Sequence, residues 1–320
     1  MIVGKELLRA EVSVMDRSYE VIIIGGGPAG LTAGLYCARS RLNTLLIERG
    51  MVGGQITSAE WVENYPGFPQ GISGIELGEL IHKQATNYGL KIMAAAVAKL
   101  VTNQGGNLVY TDEGDLLSES IIIASGSQFR KLGVPGEDEY VGKGVSYCAT
   151  CDGPLFRDRD VAVVGGGDAA IAEALYLSKF ASSVKVIHRR SQFRASKILQ
   201  EKVIAEPKIE FIWDAVVSRV EGDGVVRELR LKNTKDATIS VLQLSGVFVA
   251  IGSEPNTGYL QGLLPLDEGG YIVTNELMET TVAGIFAAGD IRHNSVRQVV
   301  TATGDGATAA MSAEKFLSLH

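Results

Sequence analysis

The chain has 320 residues, of which 46% are hydrophobic, and a formal net charge of -7. That length is a prior for about two domains with ordinary cores, and the acidic balance argues against nucleic acid as a partner. Three cysteines are too few for a secreted disulfide scaffold, and no run approaches the ~20 apolar residues of a membrane span. Met1 to Glu20 carries Lys5, Glu6, Arg9, Glu11, Asp16 and Arg17, leaving no apolar core for a signal peptide. The reading is a soluble intracellular enzyme whose residues 1–18 are an extension ahead of the fold.

The first predicted element is the apolar strand Val21 to Ile24, followed by Gly25-Gly26-Gly27-Pro28-Ala29-Gly30 and a helix to about Ser40. A second strand, Thr44 to Ile47, ends at Glu48, which stands 23 residues after Gly25. Strand, G-x-G-x-x-G loop, helix and terminal acid together form a dinucleotide fingerprint. The glycines let a pyrophosphate approach a helix N-terminus, and the carboxylate can accept both ribose hydroxyls. A lone glycine motif is a weak signal; the flanking strand, helix and Glu48 give this one its weight.

Further along, Ser120-Ile121-Ile122-Ile123-Ala124-Ser125-Gly126 reads as a short buried strand running into small residues. Gly246-Val247-Phe248-Val249-Ala250-Ile251-Gly252 echoes it, and the two mark connections between domains.

Between them stands Cys148-Ala149-Thr150-Cys151. A Cys-x-x-Cys pair can close a small disulfide ring in which one sulfur attacks while the other holds charge as thiolate. The bland alternatives are half of a zinc site or two buried thiols. Zinc needs two further ligands, yet the other candidates are Cys37 and histidines scattered at 82, 188, 293 and 320. Redox chemistry is the better reading of this spacing beside a βαβ pattern. Cys37, in Leu35-Tyr36-Cys37-Ala38, reads as a core thiol.

A second cradle follows. Strand Val161 to Val164 leads into Gly165-Gly166-Gly167-Asp168-Ala169-Ala170, with Gly165, Gly167 and Ala170 in the three loop positions. A helix runs to about Phe180, and strand Ser183 to Ile187 ends at His188-Arg189-Arg190, with Arg194 one turn further on. His188 stands 23 residues after Gly165, the offset of Glu48 from Gly25. Where the first cradle ends in a carboxylate, this one ends in guanidinium forks, which match a phosphate. The second nucleotide therefore carries a 2′-phosphate; the competing reading is a solvated basic surface. Near the end, Gly284-Ile285-Phe286-Ala287-Ala288-Gly289-Asp290 is a strand delivering an acid, followed by Arg297-Gln298 and a small-residue helix through Leu317. Such a helix N-terminus stabilises negative charge on a reduced flavin.

From about Tyr19 to Leu317 the chain resembles the bacterial-type, low-molecular-weight thioredoxin reductases. The resemblance rests on Gly25-Gly-Gly-Pro-Ala-Gly30, Gly53-Gly54-Gln55, Val62-Glu63-Asn64-Tyr65-Pro66-Gly67, Cys148-Ala-Thr-Cys-Asp-Gly153, His188-Arg-Arg190 with Arg194, Gly284 to Asp290 and Arg297-Gln298. It implies an α/β fold of two Rossmann-like three-layer dinucleotide-binding domains, the second inserted in the first. On that reading residues 19–126 and 253–320 hold FAD, and residues 127–252 hold NADPH and the redox cysteines.

The FAD residues it implies are Gly25, Gly27, Pro28, Ala29, Gly30, Glu48, Gly54, Gln55, Asn64, Ala124, Gly126, Gly289, Asp290, Arg297 and Gln298. The NADPH residues are Gly165, Gly167, Asp168, Ala169, Ala170, His188, Arg189, Arg190 and Arg194, with no metal. Catalysis falls to Cys151 as the flavin-side sulfur, Cys148 as the sulfur that attacks thioredoxin, and Asp152 as the proton carrier. Read locally, Asp152 followed by Gly153 is also a turn or helix-cap signal. A cytoplasmic homodimer is implied as well.

Two departures stand beside the expected pyrophosphate site. Asp168-Ala169 occupies positions where the family often has an amide and a hydroxyl residue, and Ala172 a position often held by an acid. Because cysteines and arginines share the inserted segment while flanking segments hold the flavin, two orientations pivoting near Gly126 and Gly252 are expected.

Other readings remain open from sequence. A flavin dithiol oxidase would not need the arginines, a ferredoxin-type NADP reductase would lack the cysteines, and a peroxide-system reductase would carry an extra thioredoxin-like domain. A redox-sensing flavin-binding module would be reduced once without turnover.

Overall fold

The computed structural model describes residues 17–59, 61–103, 105–260 and 262–319. The expected extension lies outside them through residue 16, and the first strand opens at Ser18. The chain divides into two compact units, one built from the segments ending at Gln128 and beginning at Glu254, the other spanning Phe129–Ser253.

The first segment carries β1 (Ser18–Ile24), α1 (Pro28–Arg39), β2 (Thr44–Glu48), α2 (Gly74–Asn87), β3 (Lys91–Ala94), β4 (Val97–Asn103), β5 (Gly106–Thr111) and β6 (Leu116–Ile123). After β7 (Ser127–Phe129) the inserted unit runs β8 (Val145–Ser146), α3 (Ala149–Asp152), β9 (Asp160–Val164), α4 (Asp168–Leu177), β10 (Ser183–Ile187), α5 (Lys197–Ala205) and β11 (Ile209–Ile212). It continues with β12 (Ala215–Asp223), β13 (Val225–Asn233), β14 (Ile239–Gln243) and β15 (Gly246–Val249). The chain returns through β16 (Ser253–Pro255) to β17 (Ile285–Ala287) and α6 (Val299–Leu317).

In the first unit β3, β2, β1 and β6 pair in parallel, with β17 parallel to the end of β6, and β4 and β5 add an antiparallel hairpin to its start. Successive residues of a strand face opposite sides, so the unbroken apolar run Val21 to Ile24 feeds two cores. Val21 and Ile23 join Leu31, Leu35, Leu77, Ala309 and Ala310 on the helical side. Ile22 and Ile24 join Leu100, Val109, Leu260 and Ile272 on the other. Helices α1 and α6 meet through small residues: a Cβ on Gly306 would fall 2.1 Å from the Ala29 carbonyl oxygen.

The second unit repeats the plan with a parallel sheet in the order β11, β10, β9, β15, β8. Val161, Val163, Val184 and Val186 pack on Ala170, Ile171, Ala174 and Leu177 of α4. Ala162, Val164, Val247 and Val249 pack on the antiparallel meander β12–β14 through Val217, Val220, Leu229 and Leu231. Each unit is thus three layers, a parallel sheet between helices and a second cover, which is the doubly Rossmann-like class expected. Among the described residues, no helix is long and apolar enough to cross a membrane.

Candidate active site

At the carboxyl end of β1 the three glycines do different jobs. Gly25 has φ +111°, and a Cβ there would lie 2.3 Å from the Ala124 carbonyl oxygen. A Cβ on Gly30 would lie 1.8 Å from the Gly25 oxygen, so this glycine exists to seat α1 against β1. Gly27, the N-cap of α1, has ordinary extended dihedrals and open space, with the nearest atom to a Cβ 4.0 Å away on Gly54. Two glycines serve packing and the third keeps a concave face clear above a helix N-terminus. Pro28 fills the first helical position, where its missing N–H costs nothing.

Glu48 ends β2 with its carboxylate turned into the loop: Gly26 N–H donates to Oε2 at 2.6 Å and Gly50 N–H to Oε1 at 2.7 Å. Each oxygen retains a lone-pair direction for a further donor such as a ribose hydroxyl. Beside it a cavity of about 90 Å³ is lined by Ile24, Gly25, Glu48, Ala95, Ser125 and Tyr259. Its far wall is a network the sequence did not signal: Asn256 Nδ2 donates to the Ser125 carbonyl at 2.7 Å, and the Ser125 and Tyr259 hydroxyls lie 3.0 Å apart. Ala124 N–H is taken by the Ile24 carbonyl at 2.8 Å, fixing β6 beside the loop. Gly126 has φ +66°.

Asn64, Gly289, Asp290, Arg297 and Gln298 gather around the start of α6. Gln298 caps that helix in a reciprocal capping box with Thr301, and its Oε1 accepts from Asn64 Nδ2 at 3.0 Å. Arg297, in the left-handed region at φ +59°, donates to the Tyr271 hydroxyl at 2.9 Å and lies over that ring. Burial pushes the Asp290 carboxyl above the usual carboxylate range, opposed by a 3.3 Å bond from Ser295 and by the charge of Arg297. The preceding Gly289 packs against Ala29 and donates to Asp305, which pairs with Arg292 at 2.6 Å. Gln55 donates through Nε2 to the Ser127 carbonyl oxygen.

The second cradle is built the same way. A Cβ on Gly165 would meet the Ala250 oxygen at 2.5 Å and the buried Ala170 at 2.6 Å, whereas one on Gly167 would meet nothing within 4 Å. Asp168 and Ala169 are exposed in the first turn of α4. His188 is 5% exposed, and its ring lies 2.3 Å from where a Gly166 Cβ would be. Burial, with the charges of Arg194, Arg189 and Arg190, holds this imidazole below its ordinary pKa, and its Nε2 is buried without a hydrogen-bond partner among the described residues. His188 therefore backs the glycine loop from inside, while Arg189, Arg190 and Arg194 stand exposed. Arg194 N–H donates to the Gly166 carbonyl at 2.8 Å, tying the arginines to the loop.

Cys148 and Cys151 are joined in a disulfide. The pair opens α3, with Cys148 as N-cap, half-buried, and Cys151 exposed. Ser146 on β8 organises the turn: its hydroxyl donates to Asp152 Oδ2 at 2.6 Å and accepts from Cys148 N–H at 3.1 Å. A carboxylate is thereby fixed within one side chain of the Cys148 backbone. Nothing in the spacing Ser-x-Cys singles out Ser146. On the other flank, Tyr147 stacks on Phe129 at 5.4 Å and donates to the buried Glu137 at 3.0 Å. Cys37 lies apart in the first-unit core, where burial pushes its thiol up to about 12. Among the described residues no cluster of His, Cys, Asp and Glu could hold a metal ion.

Two glycine cradles, one closed by a carboxylate and the other by guanidinium groups, and a Cys-x-x-Cys disulfide at the head of a short helix define a dinucleotide-dependent disulfide enzyme. The chain belongs to the pyridine nucleotide-disulphide oxidoreductase family, which matches residues 19–306. It is 44% identical to a thioredoxin reductase of Listeria innocua over 303 residues, 94% of this chain and 95% of the relative. It is equally similar to one from Bacillus subtilis, covering 94% and 96%. Among solved structures it resembles thioredoxin reductase from Streptococcus pyogenes, with 42% identity, a TM-score of 0.92, and 95% and 99% of the two chains covered. The Lactococcus lactis thioredoxin reductase, in what is termed its FR conformation, also has 42% identity, with 94% and 100% covered and a TM-score of 0.65.

Proposed function

We propose that this chain is an NADPH-dependent thioredoxin-disulfide reductase, a flavoprotein that works through the Cys148–Cys151 disulfide. The observation that carries the reading is that disulfide, seated at the head of a short helix beside a fixed carboxylate, in the unit whose second cradle strand, β10, is followed by three exposed arginines. Bound FAD supplies the two-electron relay between reduced nicotinamide and sulfur. The first unit fits it: Gly27 leaves the pyrophosphate approach clear, and Glu48 keeps acceptor capacity for ribose. Ala124, Gly126, Gly54, Gln55, Asn64, Asp290, Arg297 and Gln298 hold its remainder.

In the second unit Gly167 admits the NADPH pyrophosphate, and Arg189, Arg190 and Arg194 bind the 2′-phosphate. One hydride equivalent and one proton open the Cys148–Cys151 bond to two thiols. The Cys148 thiolate attacks one sulfur of oxidised thioredoxin, whose other sulfur leaves as a thiolate; Cys151 then displaces Cys148's partner sulfur and re-forms the enzyme disulfide. Asp152, held by Ser146, accepts and returns the protons these exchanges need. The net reaction is NADPH, a proton and thioredoxin disulfide to NADP⁺ and thioredoxin dithiol.

Both nicotinamide and disulfide must reach one flavin, and Cys148 must then reach a protein. The middle unit accordingly takes two orientations, pivoting near Gly126 and Gly252, both at positive φ. The active form is a homodimer in the cytoplasm.

The test is stopped-flow: NADPH should bleach the flavin of the purified enzyme, and oxidised thioredoxin should restore it repeatedly. A single reduction without turnover would indicate a sensor.

A further inference from the structure

The arginine-bearing loop is fastened to the glycine loop by a bond that neither motif contains. Asp168, the first residue of α4, accepts from the backbone N–H of Ser196 through Oδ1 at 2.6 Å, across 28 residues of sequence. Ser196 is the N-cap of α5, and its own side chain makes no capping bond. Between the two fastened points the chain is irregular and alternates in burial, with Phe193 and Ala195 turned into the apolar core and Arg194 and Ser196 exposed. Two bonds therefore frame Arg194: its own N–H to the Gly166 carbonyl at 2.8 Å, and Ser196 N–H to Asp168.

We propose that Asp168 is a specificity-determining positioning residue, whose clip on Ser196 holds Arg194 where it can read a 2′-phosphate. The proposal rests on the NADPH reading above and deepens it. A carboxylate is an unexpected choice at a helix N-terminus that faces a pyrophosphate, since like charges repel. Its acceptor bond to Ser196 gives it a purpose other than touching the nucleotide. A guanidinium gains fully from a phosphate only when its fork is held in register, because flexible side chains lose entropy on binding. Releasing the clip should thus weaken contact with the 2′-phosphate and leave contacts to the rest of the nucleotide in place. The apolar anchors Phe193 and Ala195 keep the loop folded without it.

The experiment titrates the FAD-loaded enzyme by calorimetry with adenosine 2′,5′-bisphosphate and with 5′-AMP, taking the ratio of the two Kd values as the discrimination. Asp168→Ala removes the acceptor. Ser196→Pro removes the donor, and the native φ of -59° at Ser196 already suits proline. Both should lower discrimination about tenfold, the loss expected when one charge-assisted contact is spoiled. Asp168→Asn keeps an acceptor oxygen and should retain discrimination to within about twofold. Unchanged discrimination in both Asp168→Ala and Ser196→Pro would overturn the proposal. So would an equal loss of affinity for both nucleotides, which would place the effect on the shared 5′-phosphate. A wild-type enzyme that does not distinguish the two ligands would instead remove the NADPH reading, and the proposal with it.

Discussion

Alanine substitutions at Gly167 and Gly165, two positions apart in one loop, should have opposite consequences. Gly167 has φ -97° and ψ -179°, which any residue adopts, and an added methyl meets no atom within 4 Å. Gly167→Ala should therefore be neutral or stabilising by roughly 0.4–1 kcal/mol, through loss of freedom in the unfolded chain. At Gly165 the same methyl falls 2.5 Å from the Ala250 oxygen and 2.6 Å from Ala170 Cβ, at the join of β9, β15 and α4. Relieving that overlap should cost about 1–3 kcal/mol or more. Binding should reverse the order. On the proposed function, the open space over Gly167 is where a pyrophosphate would reach the α4 amides, and a methyl there should hold it off. Losing a charge-assisted bond costs about 1.5–3 kcal/mol, roughly a 10- to 100-fold rise in the NADPH Kd. Thermal unfolding and NADPH titration of the FAD-loaded enzyme measure both quantities. If Gly167→Ala bound NADPH as wild type does, or melted as low as Gly165→Ala, the division of labour among these glycines would be refuted.

Replacing Arg189 and Arg190 by Ala should raise the Michaelis constant for NADPH and barely change that for NADH; steady-state kinetics with both would show it, and equal losses would contradict a 2′-phosphate site. Cys148→Ser and Cys151→Ser should each abolish thioredoxin reduction while the flavin remains bound and bleachable by NADPH. Ser146→Ala, which removes the hydroxyl bonded to both Asp152 Oδ2 and the Cys148 amide, should slow thioredoxin reduction about 10- to 100-fold, in line with loss of a general acid–base contribution, with flavin bleaching unaffected. Glu173 on α4 has a buried Oε2 with no hydrogen-bond partner among the described residues, and burial pushes its carboxyl from 4.5 up to about 7. The unfolded chain then loses this proton first, so stability falls as pH rises from 4.5 to about 7 and stays lower above. Glu173→Gln should match wild type near pH 4.5 and exceed it above pH 7 by at most about 3 kcal/mol, measured by denaturant melts across pH. A constant difference at all pH values would exclude titration as the cause.

What the sequence determined by itself is local. The strands of both cradles appear within a few residues of the positions their apolar runs indicate, β1 at Ser18–Ile24 and β9 at Asp160–Val164. The helices that follow begin at Pro28 and Asp168, directly after their glycine loops. These features are legible because periodicity, glycine placement and the charge at a strand end act over one supersecondary unit, so neighbours in sequence carry the whole signal. The antiparallel meander β12–β14 is not announced in that way, since its strands become a layer by covering the sheet face of Val164 and Val249. The division among glycines is likewise tertiary: Gly25, Gly27 and Gly30 look equivalent in the motif, and only the Ala124 and Gly25 carbonyls, brought close by folding, separate packing positions from the open one. His188 occupies the position of Glu48 in the repeat yet turns inward over Gly166, because its ring has an aromatic cluster of Phe193 and Trp213 to join. Ser146 beside Asp152, Asn64 beside Gln298, and Asp168 beside Ser196 meet across gaps of 6, 234 and 28 residues. No spacing rule encodes such meetings, because the folded sheet, rather than the chain between the partners, sets the distance from donor to acceptor.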